Sequence, residues 1–143
     1  MVTGALFAHG TLLKVDDGGG VTFTTIAEVG SISGPSLTQA TIDVTSMDSA
    51  NHWREFIGGL KDGGNVTFDI NYIPTGGTHN VATGVIGMLS TGVKRSFKLV
   101  FTDGGSTTWT FIGWITKFTP TPGLATALKG ALDVKITGQP TLV

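Results

Sequence analysis

The sequence predicts a mainly β fold, an antiparallel β-sandwich or barrel with one α-helix packed on it. Three observations carry that prediction. The 143 residues include 22 glycines, too many for a helical bundle and apt for tight turns. Turn signals recur at short intervals: Asp16-Asp17-Gly18-Gly19-Gly20, Asp62-Gly63-Gly64-Asn65, Thr75-Gly76-Gly77 and Asp103-Gly104-Gly105. Asp-Gly steps suit hairpins because glycine takes the positive φ that primed turns need. Between the turns, apolar and polar residues alternate with a period of two.

Taken in chain order, Ile42 and Val44 alternate with Thr41, Asp43 and Thr45. The next segment carries a helical period: Trp53, Phe56, Ile57 and Leu60 stand at i, i+3, i+4 and i+7, which predicts a helix over about 48–58. Ser46 or Asp48 would cap its start and Gly58-Gly59 would end it. Its apolar stripe should pack on the sheet, so truncating Trp53 to Ala should cost about 3 kcal/mol or more. A strand follows, with Val66, Phe68, Ile70 and Tyr72 on one face and Thr67, Asp69 and Asn71 on the other. His79 to Leu89 (79–89) is a weaker helix candidate, since Gly84, Gly87 and β-branched residues lower its propensity. Phe97, Leu99 and Phe101 mark another strand. Trp109 to Phe118 is apolar on both faces, as in a central strand or one covered by a partner. Leu132, Val134 and Ile136 mark the last. There is no linker and no clear repeat, so residues 1–143 read as a single domain.

Composition narrows the function. Charged residues make up 13% of the chain, roughly half the usual globular share, and mean hydropathy is +0.25. An exterior so poor in charge is explained economically if copies of the chain cover it. Nine Lys and Arg against ten Asp and Glu, with no basic run, argue against nucleic-acid binding as the main task. The absence of cysteine excludes disulfides, thiolate metal sites and cysteine nucleophiles. The first ten residues lack a cationic region, and no segment approaches the ~20 apolar residues of a membrane span. The expectation is a soluble chain made without an export signal.

No chemical motif survives inspection. His9, His52 and His79 share no metal-ligand spacing. Gly30-Ser31-Ile32-Ser33-Gly34 resembles a nucleophile elbow, but its central residue is isoleucine. The glycine pairs are not followed by the lysine of a phosphate loop, and the carboxylates form no glycosidase-like pair. Asn65-Val66-Thr67 is an isolated sequon. The reading is of a protein that is not an enzyme and needs no cofactor.

One family resembles this sequence. Ile26-Ala27-Glu28-Val29-Gly30-Ser31-Ile32-Ser33-Gly34-Pro35, then Ile42-Asp43-Val44-Thr45-Ser46-Met47-Asp48-Ser49, then Arg54-Glu55-Phe56-Ile57-Gly58-Gly59-Leu60-Lys61-Asp62-Gly63-Gly64 look like the N-terminal part of major tail tube proteins of phages with long, non-contractile tails (siphoviruses). Looser counterparts are Tyr72-Ile73-Pro74, Phe111-Ile112-Gly113 and Asp133 to Pro140, so the likeness spans nearly the whole chain. It implies a β-sandwich subunit, in a fold shared with type VI secretion tube proteins. Its copies would form hexameric rings stacked into a hollow tube for DNA, in the virion tail and before that in the host cytoplasm. It also implies partners: copies of itself, tape-measure, tail-tip and tail-terminator proteins, with DNA passing unbound and no membrane. If six subunits each lend four strands, a 24-stranded barrel about 50 Å across follows, with a channel of ~40 Å.

Three groups of residues are singled out within that frame. Thr41, Asp43 and Thr45, with Thr22, Thr24 and Glu28 on the preceding strand, are the candidate channel wall, although such polar faces equally suit ordinary solvent-facing positions. Ring-to-ring contact is expected of the rather short loop Gly30 to Ala40, through Ile32, Pro35 and Leu37, or of the segment around Thr75 and His79. Trp53, Phe56, Ile57 and Leu60 form the core helix. On this reading no immunoglobulin-like decoration is expected after Val143. A soluble binding module for carbohydrate is the competing class, but Trp109 and Trp114 fall on opposite faces of one strand and cannot share a platform.

Overall fold

The computed structural model describes residues 3–143; Met1 and Val2 of the expected domain lie outside the described residues. The strands are β1 (Leu12–Asp16), β2 (Phe23–Thr25), β3 (Val29–Ser33), β4 (Thr38–Asp43), β5 (Phe56–Asp62), β6 (Asn65–Asn71), β7 (Arg95–Val100), β8 (Thr108–Thr121) and β9 (Lys129–Leu142), with one α-helix, α1 (Val85–Thr91). Seven strands form one antiparallel sheet in the order β2-β1-β7-β8-β9-β6-β3, and β4 and β5 form a separate ladder.

The topology forces the large sheet to curl. Its two edges, β2 and β3, are consecutive in the chain and joined only by residues 26–28. Laid flat, seven strands would hold their edges about 29 Å apart, six spacings of about 4.8 Å. A three-residue link reaches at most roughly 14 Å. The link is bonded on both sides: Ile26 N–H donates to the Leu13 carbonyl at 2.9 Å, and Asn71 N–H donates to the Glu28 carbonyl at 2.9 Å. The sheet therefore curls round its core and brings its two edges together at this end, within the sandwich-or-barrel class that the sequence predicts.

Alternation decides what fills it. Val66, Phe68 and Ile70 of β6, Leu132, Val134 and Ile136 of β9, Phe97 and Leu99 of β7, and Leu13 and Val15 of β1 all point inward and are buried. Phe97 stacks on Phe111 of β8 with ring centroids 5.6 Å apart. Helix α1 adds Val85 and Met88 to the same core. Gly92 ends the helix in the left-handed conformation, its N–H reaching the carbonyls of Leu89 and Met88. The 79–89 expectation therefore holds in part: the segment 79–84 is turns, with the Asn80 side chain accepting the N–H groups of Thr83 and Gly84.

The helix expected over 48–58 is not there. Residues 50–52 make a single 3-10 turn, and Phe56 to Asp62 is strand β5. Gly58 and Gly59 are poor helix residues, and the backbone of this segment pairs instead with β4, Ile57 opposite Ile42 and Phe56 opposite Asp43. Trp53, Phe56, Ile57 and Leu60 are all exposed, Trp53 at 75% and Leu60 at 89%. None packs on the sheet, so the stability cost expected for truncating Trp53 does not follow.

Register shows that β3-β4 and β5-β6 are two halves of one long hairpin. Ser33 pairs with Thr67 in the barrel, and Thr38 pairs with Asp62 in the separate ladder; the step between the pairs is five residues on each strand. Each ladder carries one register shift, and pairing stops at the bend between them, where Gly34 and Gly64 adopt φ of 112° and 71°, conformations that favour glycine. A Cβ at Gly34 would overlap the Asn65 carbonyl oxygen, and one at Gly64 that of Ser36. Beyond the bend the hairpin leaves the barrel as an arm. The segment 30–40, expected as a loop, is thus strand β3, the bend, and the start of β4.

Candidate assembly surface

The arm is two-faced. Paired residues of an antiparallel ladder share a side, so Ile42 and Ile57 form an apolar face. Thr41 with Gly58, and Asp43 with Phe56, lie on the other. On that second face Asp43 pairs with the Arg54 guanidinium, which also sits 5.4 Å from the Phe56 ring centre. The Asp43 carboxyl is held down to about 2 by hydrogen bonds from Thr45 and then by Arg54. Its charge is therefore fixed and locally balanced.

The tip is ordered by local hydrogen bonds rather than by a core. Val44 N–H donates to the Glu55 carbonyl at 2.9 Å, and Glu55 N–H donates to Thr45 Oγ1 at 2.9 Å. Ser49 Oγ donates to the Glu55 carboxylate at 2.7 Å and accepts the Ser46 N–H at 3.0 Å. Around this polar frame Met47, Trp53, Phe56, Ile57 and Leu60 stand in solvent. Large apolar side chains gathered on one element and left uncovered mark a surface that a partner covers. The ladder also has two open edges, since β4 pairs only with β5 and β5 only with β4, and such edges accept further strands.

The remaining predicted residues are scattered. Thr22 and Thr24 are exposed at the far edge of the barrel, where β2 pairs with β1 and not with β4. Glu28 precedes β3 and accepts a hydrogen bond from the Asn71 amide at 3.0 Å. The structure thus separates Thr22, Thr24 and Glu28 from Thr41, Asp43 and Thr45. Ile32 is half-buried against the core and Pro35 half-buried at the bend; Leu37 and Thr75 are exposed. His79 is fully buried, which corrects its assignment to a ring-to-ring loop. Its Nδ1 accepts the Ile73 N–H at 3.1 Å, so Nε2 carries the proton and donates to the Ala27 carbonyl at 2.7 Å.

Sequence reasoning missed the arm, whose one clue was the pair of glycine bends flanking a run of exposed apolar residues. Trp109 is half-buried against the core while Trp114 is exposed, so the two indoles form no shared platform. Among the described residues no cluster of three or more His, Asp or Glu side chains is placed to hold a metal, and no helix is long and apolar enough to cross a membrane.

A curled barrel with a projecting hairpin arm is a fold found in the tails of virus-like particles. It matches a chain in the tail of an empty gene transfer agent particle, refined helically with C6 symmetry, at a TM-score of 0.80 and 20% identity, covering 97% of this chain and 99% of that one. A chain of the native gene transfer agent virion gives 0.77 and 19% over 97% and 99%, and the SPP1 tail tube gives 0.66 and 10% over 92% and 75%. The sequence model of the lambda phage tail tube protein family matches residues 15–143, and the chain belongs to that family. It is a structural protein of the virion tail and not an enzyme. None of the curated protein sequences compared with it matches.

Proposed function

We propose that this chain assembles with copies of itself into stacked hexameric rings, forming the hollow tube through which phage DNA leaves the particle. The observation that carries the reading is the arm: a β-hairpin held away from its own core, with Trp53, Ile57 and Leu60 exposed and both backbone edges open. Covering Trp53, Ile57 and Leu60 with a neighbouring subunit removes apolar surface from water at about 25 cal/mol per Å², and strand addition at the open edges satisfies their free N–H and C=O groups. The six-fold symmetry of the gene transfer agent tail supports a ring of six.

The polar face of the arm, with Thr41 and Asp43 and the neighbouring Thr45, lines the channel. A conduit for a polyanion must avoid phosphate contacts, each of which adds affinity and salt dependence. On this face Arg54 is paired with Asp43, and Lys61, opposite Gln39, stands at the base of the arm. Leu37 and Thr75 face the adjacent ring. The tape-measure protein occupies the channel before DNA does, tail-tip and terminator proteins close the ends, and subunits wait in the host cytoplasm before assembly. Sedimentation velocity and negative-stain electron microscopy of the purified chain test the reading. Wild type should form rings or tubes, and Ile57→Asp or Leu60→Asp should remain monomeric with an unchanged fold; a wild-type chain that stays monomeric at high concentration and beside tail-tip components would overturn it.

A further inference from the structure

An ion pair ties the arm to the barrel. Asp62 is the last residue of β5 on the arm, and Lys135 lies on β9 of the barrel, directly opposite Asn65, the first residue of β6. Across the bend, Lys135 Nζ donates to Asp62 Oδ1 at 2.9 Å and to Oδ2 at 3.2 Å. The same carboxylate accepts the Gly64 N–H at 2.7 Å, which closes the turn. These bonds, the Gly64 N–H first and Lys135 second, hold the Asp62 carboxyl below its ordinary range. Leu37, Gln39, Lys61 and Asp62 itself border an open groove of about 870 Å³ whose far wall is Trp109 and the end of β9. The bend therefore combines glycines in positive φ with an ion pair at the rim of an open groove.

We propose that the Asp62–Lys135 pair is a latch that sets the angle of the arm against the barrel, and so controls how fast a subunit presents its assembly surface. The proposal rests on the reading of the arm as that surface. Both side chains are partly exposed, at 44% for Lys135 and 57% for Asp62, so the latch is weak. It biases the arm without locking it, and a neighbouring ring can displace it. The flanking backbone contributes the other half of the device. Gly34 and Gly64 permit the bend, in positions where a side chain would meet the backbone of Asn65 and Ser36.

The test separates the pair from the turn. Asp62→Asn keeps an oxygen for the Gly64 N–H and removes the charge; Lys135→Met keeps the stem and removes the other charge. The chain has no native cysteine, so spin labels at Met47→Cys on the arm tip and Ser90→Cys on α1 report the arm angle by pulsed electron paramagnetic resonance. The full-length subunit is measured at concentrations below assembly. Wild type should give a narrow distance distribution. Each charge-removing variant should broaden it and speed amide exchange in the arm about two- to five-fold, as expected of an exposed pair, and the double variant should do no more than either single one. Wild type in 1 M salt should approach the variants, because the screening length falls to about 3 Å. Unchanged distributions, or broadening in Asp62→Asn alone, would overturn the latch. Tube growth is followed separately by light scattering and should be altered by both variants. Equal growth rates would overturn the control of assembly, whereas a wild type that makes no tubes but keeps a latched arm would count against the tube and not the latch.

Discussion

His79 donates a hydrogen bond from Nε2 to the carbonyl of Ala27 at 2.7 Å, across a sequence separation of 52 residues. Ala27 lies in the link that joins the two edges of the curled sheet, and Ile73 follows the end of β6. With Nδ1 accepting the Ile73 N–H, one buried imidazole ties the closing link to the strand it must meet. It joins the backbone bonds of Ile26 and Glu28 in holding the link.

Replacing His79 with Ala should therefore destabilise the subunit by about 2–4 kcal/mol. It leaves the Ile73 N–H and the Ala27 carbonyl without their partner and opens a cavity in a site with no solvent access. Urea denaturation of the monomeric subunit measures this, and a loss under about 0.5 kcal/mol would show that the barrel closes without it.

Phe97→Ala should cost about 3–5 kcal/mol, because the ring is fully buried and stacked on Phe111. Trp53→Ala, by contrast, should leave subunit stability within about 0.5 kcal/mol, as for a surface position, while reducing tube yield. The contrast, read by thermal melting and sedimentation on both variants, separates residues that hold the subunit from those that join subunits.

Gly64→Ala should destabilise by more than the roughly 1 kcal/mol usual for a positive-φ glycine, since the added Cβ also overlaps the Ser36 carbonyl oxygen. Gly92→Ala, at φ 67° with open space around it, isolates the conformational part alone. Equal losses for the two would mean that the bend relaxes around the new atom.

The Asp43 carboxyl should titrate near 2 in the folded subunit. A carboxyl depressed by folding stabilises the native arm fully above its unfolded value, about 3.9. That contribution is lost as pH falls from about 4 through about 2. Arm-tip resonances should shift over this window in a carbon-detected NMR titration. Thr45→Val should raise the midpoint more than Arg54→Gln, because Thr45 supplies the larger stabilisation of the ionised form. The reverse order would show that the ion pair dominates.

What the sequence revealed depended on where a core existed to impose a pattern. Val66-Thr67-Phe68-Asp69-Ile70 and Leu132-Asp133-Val134-Lys135-Ile136 alternate because a barrel interior takes every second side chain, and both strands were legible. On the arm neither face meets that interior. Trp53, Phe56, Ile57 and Leu60 therefore answer to surfaces outside the chain, and their helical spacing carried no information about their own backbone. Thr41, Asp43 and Thr45 were legible as one polar strand face, but Thr22, Thr24 and Glu28 were joined to them only by assuming that neighbours in sequence are neighbours in the sheet. His79 gave no warning. A buried histidine satisfied by two backbone groups leaves no mark on local periodicity, and only the long-range closure of the barrel explains it.

Cryo-electron microscopy of tubes grown from the purified chain tests the central claim most directly. The account predicts six-fold rings in which Trp53, Ile57 and Leu60 are buried against other copies while Thr41 and Asp43 face the channel. A tube in which those three apolar side chains remain in solvent, with the subunits joined through other surfaces, would contradict it.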